Sequence, residues 1–188
     1  MPVSGLPALV LVAAVAVAGC DFGAAGENSD AVTPTPPLTP TSVPRLTVSQ
    51  LRNAEYFRGA QAIRLVDGKH TTPSPFPTEP NTYVLREDRI AFADIDGDGA
   101  EDVAAFVDFN PWGTGYFPNL VVVLNRRGQP DFAASVSLED RQRVESIRVE
   151  GARIVLDLKV HGPGEGRCCP TVPRTVAYRL AGGALVQD

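Results

Sequence analysis

Five carboxylates fall within nine residues of this 188-residue chain, in the run Asp94-Ile95-Asp96-Gly97-Asp98-Gly99-Ala100-Glu101-Asp102. Aspartates at alternate positions converge on one point when the backbone curls tightly, and Gly99 permits the dihedrals that such a curl needs. A cage of hard oxygens suits a divalent cation, calcium above all, which takes about six to eight oxygen ligands. Positions one, three, five, seven and nine of the loop would supply them, from Asp94, Asp96, Asp98, the carbonyl of Ala100 and Asp102. The same residues also read as a turn held by aspartate-to-backbone hydrogen bonds, with no ion. Five like charges crowded together repel one another, and a counter-ion relieves that cost.

The spacing resembles the aspartate-rich calcium loops of EF-hand, dockerin and integrin-type propeller repeat proteins. The resemblance implies calcium as a cofactor. Position twelve, where an EF-hand has its bidentate glutamate, is Ala105. Glu101, Asp108 or waters would then complete the shell, and the affinity expected is about 10⁻⁴–10⁻³ M. Both flanks read as strands, which favours the β-hairpin form of such loops. A propeller is excluded because the loop occurs once.

The second chemical feature is Cys168-Cys169-Pro170. Adjacent cysteines can close a vicinal disulfide in an oxidising compartment, or remain as two thiols near a turn. A redox enzyme would more usually show Cys-x-x-Cys, and a zinc site would have to draw on His70 and His161, the two imidazoles of the chain. Trp112 and Tyr116 flank Gly113-Thr114-Gly115, as an aromatic ligand platform or as cover for an edge of the core. The chain has no nucleophile elbow, phosphate-binding loop or dinucleotide fingerprint, and its eight serines and two histidines form no recognisable triad.

The elements that position these residues are mostly strands. Thr47-Val48-Ser49-Gln50 predicts a capping box opening a short helix, with Val48, Leu51 and Ala54 on one face. Strands are expected at residues 61–66, 83–86, 89–93, 102–108, 119–124, 132–138, 143–149, 153–160 and 174–180, with a proline-bearing loop over 67–81. Ile154, Leu156, Leu158 and Val160 keep the two-residue period, as do Val176, Tyr178 and Leu180. The run Leu120-Val121-Val122-Val123-Leu124 is apolar on both faces and reads as a central strand. Gly151 and residues 125–128 read as hairpin connections. The fold class expected is α+β, mainly β: an antiparallel sheet with a short N-terminal helix packed on it.

The N-terminus supplies an address. Residues 6–18 are an apolar run too short to span a bilayer as a helix, which takes about 20 residues, and they fit the core of a secretory signal. The run ends in Val17-Ala18-Gly19-Cys20, which resembles the lipobox of bacterial lipoproteins; no Lys or Arg precedes it, only the α-amino group. The resemblance implies removal of residues 1–19 and lipidation of Cys20 with acyl chains such as palmitate, anchoring the chain without spanning the membrane. Asp21 resembles the inner-membrane retention signal of some two-membrane bacteria. A plain signal peptide or an uncleaved anchor with an incidental cysteine is the alternative. Residues 20–44 carry five prolines from Pro34 to Pro44 and read as a semi-rigid tether, leaving 45–188 as one globular domain.

All 17 bases lie in that domain without forming a block, so nucleic-acid binding lacks its electrostatic footprint. The aspartate loop, Gly113-Thr114-Gly115 with Phe117, Leu138-Glu139-Asp140-Arg141, Cys168-Cys169-Pro170-Thr171 and Tyr178-Arg179-Leu180 resemble a group of small uncharacterised secreted bacterial proteins, which implies one compact domain and no particular activity. The function expected is that of an envelope lipoprotein on the extracytoplasmic side of a bacterial cell membrane. It would be a non-enzymatic binding or structural domain with a calcium-stabilised hairpin, any partner being a protein or envelope polymer. The alternative is an envelope enzyme using the carboxylates with a metal, or the Cys168-Cys169 pair.

Overall fold

The computed structural model describes residues 43–76, 78–166 and 168–188. Cys20, the lipobox and most of the tether lie outside the described residues. The domain is mainly β, built from three antiparallel sheets. The capping box forms as the sequence predicts: Thr47 N–H donates to Gln50 Oε1 at 2.9 Å and Thr47 Oγ1 accepts from Gln50 N at 3.2 Å. The helix it opens, α1 (Val48–Leu51), is a single turn. Asn53 ends it. Its Nδ2 donates to the Ser49 carbonyl at 3.0 Å while its Oδ1 accepts from Asp67 N at 3.2 Å, so a side chain takes over backbone partners that a longer helix would use. The short N-terminal helix expected to pack on the sheet is therefore corrected to a single turn in a mainly β domain.

The chain then forms the hairpin β1 (Glu55–Arg58) and β2 (Gln61–Arg64). A five-stranded sheet follows, in the order β3 (Lys69–Thr72), β4 (Asn81–Ala93), β5 (Asp102–Asn110), β6 (Asn119–Arg126) and β7 (Gln129–Ser137). The last sheet has β8 (Arg143–Glu150) at one edge, then β9 (Arg153–Val160), β10 (Val172–Ala181) and β11 (Ala184–Gln187). Three strands depart from the sequence reading. β1 and β11 are four-residue hairpin arms too short for a period to show, and β3 lies inside the stretch read as a loop.

The five-stranded sheet is the middle layer. On β5 and β6, Val103, Ala105, Val107, Val121 and Val123 pack with Leu46, Leu51, Tyr56, Ile63 and Leu65. The alternate residues Ala104, Phe106, Leu120, Val122 and Leu124 pack with Ile154, Leu156, Leu158 and Tyr178 of the last sheet. A two-residue period sends successive side chains to opposite faces, so a strand apolar at every position is stable only with a layer on each side. The run 120–124 accordingly lies on an interior strand, between β5 and β7.

The stretches 83–86 and 89–93 belong to one strand, β4, interrupted by a bulge. Its register against β5 passes from Leu85↔Val107 to Ile90↔Ala105, so Arg86, Glu87, Asp88 and Arg89 together face Phe106 alone. A bulge expels unpaired residues from the ladder and re-aims their side chains. Four consecutive charges opposite an apolar strand are expelled in this way.

Candidate functional site

The aspartate loop connects β4 to β5, as a hairpin tip. Asp102, the first residue of β5, is fully buried, yet both its carboxylate oxygens are satisfied. Its Oδ2 accepts from Ile95 N at 2.9 Å and Asp96 N at 3.3 Å, and its Oδ1 accepts from Asn125 N at 2.9 Å. One side chain thus fixes the start of the loop and ties it to β6. Burial pushes the Asp102 carboxyl above the usual carboxylate range, against the pull of those three backbone N–H groups.

The remaining aspartates shape the curl. Asp94 accepts from Gly97 N at 2.8 Å and Gly99 N at 3.0 Å, Asp96 from Asp98 N at 3.2 Å, and Asp98 from Ala100 N at 2.8 Å. Gly97 and Gly99 have φ of 81° and 85°, values that side-chain-bearing residues rarely adopt. Ile95 and Ala100 are buried, so the loop's apolar residues point into the domain while its aspartates ring the tip.

Carboxylate oxygens of Asp94, Asp96 and Asp102 lie within 4.8 Å of one another, a grouping that could hold a metal ion. Each carboxylate retains lone pairs beyond those engaged by N–H groups, so the cluster can still accept a hard cation. Asp98 stands outside this group, with Oδ2 accepting from Arg126 Nη1 at 2.9 Å; Arg126 also reaches Asp96 at 3.2 Å. Arg45 pairs with Glu101 at 2.7 Å. Two guanidiniums therefore face five acids. Of the two side chains expected to complete a metal shell, Glu101 is held by Arg45, and Asp108 lies six residues along β5, about 20 Å away at strand rise.

Asp108 belongs to a different site. A cleft of about 580 Å³ opens where the bulged strand β4 meets the edge strand β8, with the loops around Tyr116, Arg141 and Cys168 in its wall. Asp108 is 5% exposed. Tyr116 Oη donates to its Oδ2 through a short hydrogen bond, and Arg86 Nη1 donates to Asp108 Oδ2 at 3.1 Å and to the Tyr116 hydroxyl at 2.9 Å. Arg86 also forks onto Asp88 through Nε at 3.1 Å and Nη2 at 3.2 Å. Hydrogen bonding to Asp88 is the main cause that raises the Arg86 guanidinium above its already high ordinary value, and the same bond draws the Asp88 carboxyl below its own. Burial raises both the Asp108 carboxyl and the Tyr116 hydroxyl, the latter raised further by its bond to Asp108. Asp108 Oδ1 is buried with no hydrogen-bond partner among the described residues.

Arg89 leaves the bulge in the same direction and crosses to the other sheet, donating through Nε to the Val144 carbonyl at 3.1 Å. Arg141 Nε and Nη2 hold the Thr114 carbonyl at 3.1 and 2.6 Å, and Tyr116 N donates to Asp140 at 2.9 Å, so two loops lock together at the mouth. Tyr116 is thus part of a polar site, while Trp112 packs on Phe76 with ring centroids 4.5 Å apart; the two do not make a common platform.

Cys168 and Cys169 sit with their sulfurs in contact, in the arrangement of a vicinal disulfide, on the loop between β9 and β10. Glu165 closes that loop by accepting from Gly162 N at 3.0 Å, Thr171 N at 3.2 Å and the Thr171 hydroxyl. Cys168 reaches the cleft wall. His70 packs against Tyr83 on the middle sheet, and no histidine joins a metal cluster among the described residues. No described helix is long and apolar enough to cross a membrane.

Asp108, Tyr116, Arg141 and Cys168 stand out in the sequence for other reasons, and their meeting in one cleft is not legible there because the lining comes from five separate segments. The signal that could have found them is the charged run Arg86-Glu87-Asp88-Arg89 between two strand-like stretches, which marks a bulge facing something polar. No family model, no curated protein and no solved structure matches the chain.

Proposed function

We propose that this protein is a lipid-anchored lipoprotein of the bacterial cell envelope. Its domain, residues 45–188, lies on the extracytoplasmic side and acts by binding a protein or envelope polymer, with a calcium ion stiffening the β4–β5 hairpin. The observation that carries the ion is the convergence of Asp94, Asp96 and Asp102 on a tip where acids outnumber bases. The anchor rests on the apolar run ending in Val17-Ala18-Gly19-Cys20 and on the proline-rich segment after it. A disulfide between Cys168 and Cys169 suits that compartment. The three converging carboxylates stand on a hairpin and line no part of the cleft, which favours a structural ion over a catalytic one.

In this reading Asp94, Asp96 and Asp102 hold the ion, and Asp96 does so while sharing Arg126 with Asp98. Calcium neutralises the tip and fixes the strand pair that also carries Asp108 and Arg86. At about 10 mM calcium and the affinity expected of such a loop, linkage predicts a rise in melting temperature of about 3–10 °C. The rise should disappear in Asp96→Ala and should not be reproduced by sodium at matched ionic strength. An unmutated protein whose melting temperature does not respond to millimolar calcium would leave a plain hydrogen-bonded turn. For the anchor, Cys20→Ala should abolish incorporation of a labelled fatty acid and move the protein out of the membrane fraction. Retained label in that variant would overturn the lipidation site.

A further inference from the structure

The cleft between β4 and β8 presents guanidinium donors, on Arg89 and Arg143, that meet no acceptor among the described residues. Four arginines, Arg86, Arg89, Arg141 and Arg143, line it together with two carboxylates, Asp108 and Glu145. Arg89 uses Nε on the Val144 carbonyl and Nη1 on Asp88, at 2.8 Å to the carbonyl and 2.9 Å to Oδ2; its Nη2 meets no acceptor among the described residues. Arg143 commits Nε to Glu145, and neither of its Nη groups has an acceptor among the described residues. A guanidinium with open donors is a planar fork matched to carboxylate and phosphate oxygens. Arg89 is also held in place before any ligand arrives. The bulge and the Val144 carbonyl fix Arg89, and Asp88, Asp108 and Tyr116 fix its neighbour Arg86, which lowers the ordering cost of binding.

The rest of the lining selects the body of the ligand. The carboxylates of Asp108 and Glu145 and the amide of Gln142 line the same cleft, so an apolar ligand would leave polar groups unmatched. The volume, about 580 Å³, lies in the range of small-molecule sites. We propose that this cleft binds a hydroxylated small molecule bearing an oxyanion, that is, a sugar acid or sugar phosphate unit, with Arg89 and Arg143 on the oxyanion and the acceptor-rich wall on the hydroxyls. This site is separate from the aspartate hairpin and needs no calcium.

The test is calorimetric titration of the full-length protein, in chelator, with glucuronate, glucose 6-phosphate, glucose, acetate and inorganic phosphate. Glucuronate or glucose 6-phosphate should bind at least about tenfold more tightly than uncharged glucose and than either bare ion, with the tighter of the two identifying carboxylate or phosphate as the group read. Arg143→Gln, at the exposed rim, and Arg89→Gln, deeper in the cleft, should each weaken that ligand by about tenfold while the parent's melting curve is kept by the rim variant. Glucose binding as tightly as its charged relatives would overturn the proposal. So would equal binding of the bare ions, undiminished binding in both arginine variants, or no heat from any of the five at millimolar concentration.

Discussion

The two ends of β4 and β5 carry opposite solutions to burying charge. At the hairpin end, acids outnumber bases and are satisfied mainly by backbone N–H groups from their own loop, as with Asp94 on Gly97 and Gly99. At the cleft end, acids and bases meet as side chains drawn from distant segments, as with Arg86, Asp88, Asp108 and Tyr116. A carboxylate held by its own loop keeps its charge facing outward, ready for a cation. A carboxylate locked by an arginine is already neutralised, and the donors that meet no acceptor there among the described residues are those of Arg89 and Arg143. The same strand pair thus carries a site suited to a cation and, some six residues away, one suited to an anion.

The sharpest way to break this comparison is to remove the hairpin's buried anchor. Asp102→Ala strands the N–H groups of Ile95, Asp96 and Asn125, and should cost about 3 kcal/mol or more in urea denaturation, since each buried unsatisfied donor costs about 1–3 kcal/mol. A loss below about 1 kcal/mol would show that the loop holds itself without Asp102. A smaller loss is expected in the cleft. Tyr116→Phe removes one donor to Asp108 but leaves Arg86 on the same oxygen, and should cost about 1–2 kcal/mol without altering the calcium response. If Tyr116→Phe also abolished that response, the two ends would be a single coupled unit.

The smallest effect concerns pH. Asp88 is half exposed and paired with Arg86 and Arg89, and its folded-state pKa is depressed, chiefly by the Arg86 hydrogen bond. A depressed carboxylate adds stability above its unfolded value of about 3.9, and that contribution is lost as pH falls through the folded value. Solvent screening limits it to less than about 1 kcal/mol. The stability gap between the parent and Asp88→Asn should therefore be present at pH 7 and close as the solution is acidified below about pH 4. A gap that widened on acidification would contradict the ion-pair origin.

The parts of this protein that sequence made legible are those written in contiguous residues. The capping box needs only Thr47 and Gln50, the hairpin at residues 125–128 needs Arg127 and Gly128 at positive φ, and the strand 153–160 shows its own period. The aspartate loop belongs with them: its curl, its glycines and its ring of carboxylates follow from nine neighbouring residues. Where the reading failed, local pattern competed with something distant. Asn53 stops α1 by bonding to Asp67, a partner fourteen residues on. β3 forms in an apparent loop because β4 offers it an edge. The loop's spacing offers Asp94, Asp96, Asp98, the Ala100 carbonyl and Asp102 as equivalent ligand positions, and the folded loop brings together Asp94, Asp96 and Asp102 with Asp98 outside the cluster.

Sequence by itself determined the strand-rich class, the doubly apolar interior strand and the acidic tip, because each depends on composition or on periods shorter than about ten residues. Tertiary structure alone decided which carboxylates converge, that the middle sheet is covered on both faces, and that a bulge in β4 turns Arg86 and Arg89 toward Asp108 and β8. The physical reason is the range of the forces involved. Turn chemistry and alternation act between near neighbours in the chain, whereas the cleft exists only after two sheets pack and bring together arginines and carboxylates from five segments of the chain.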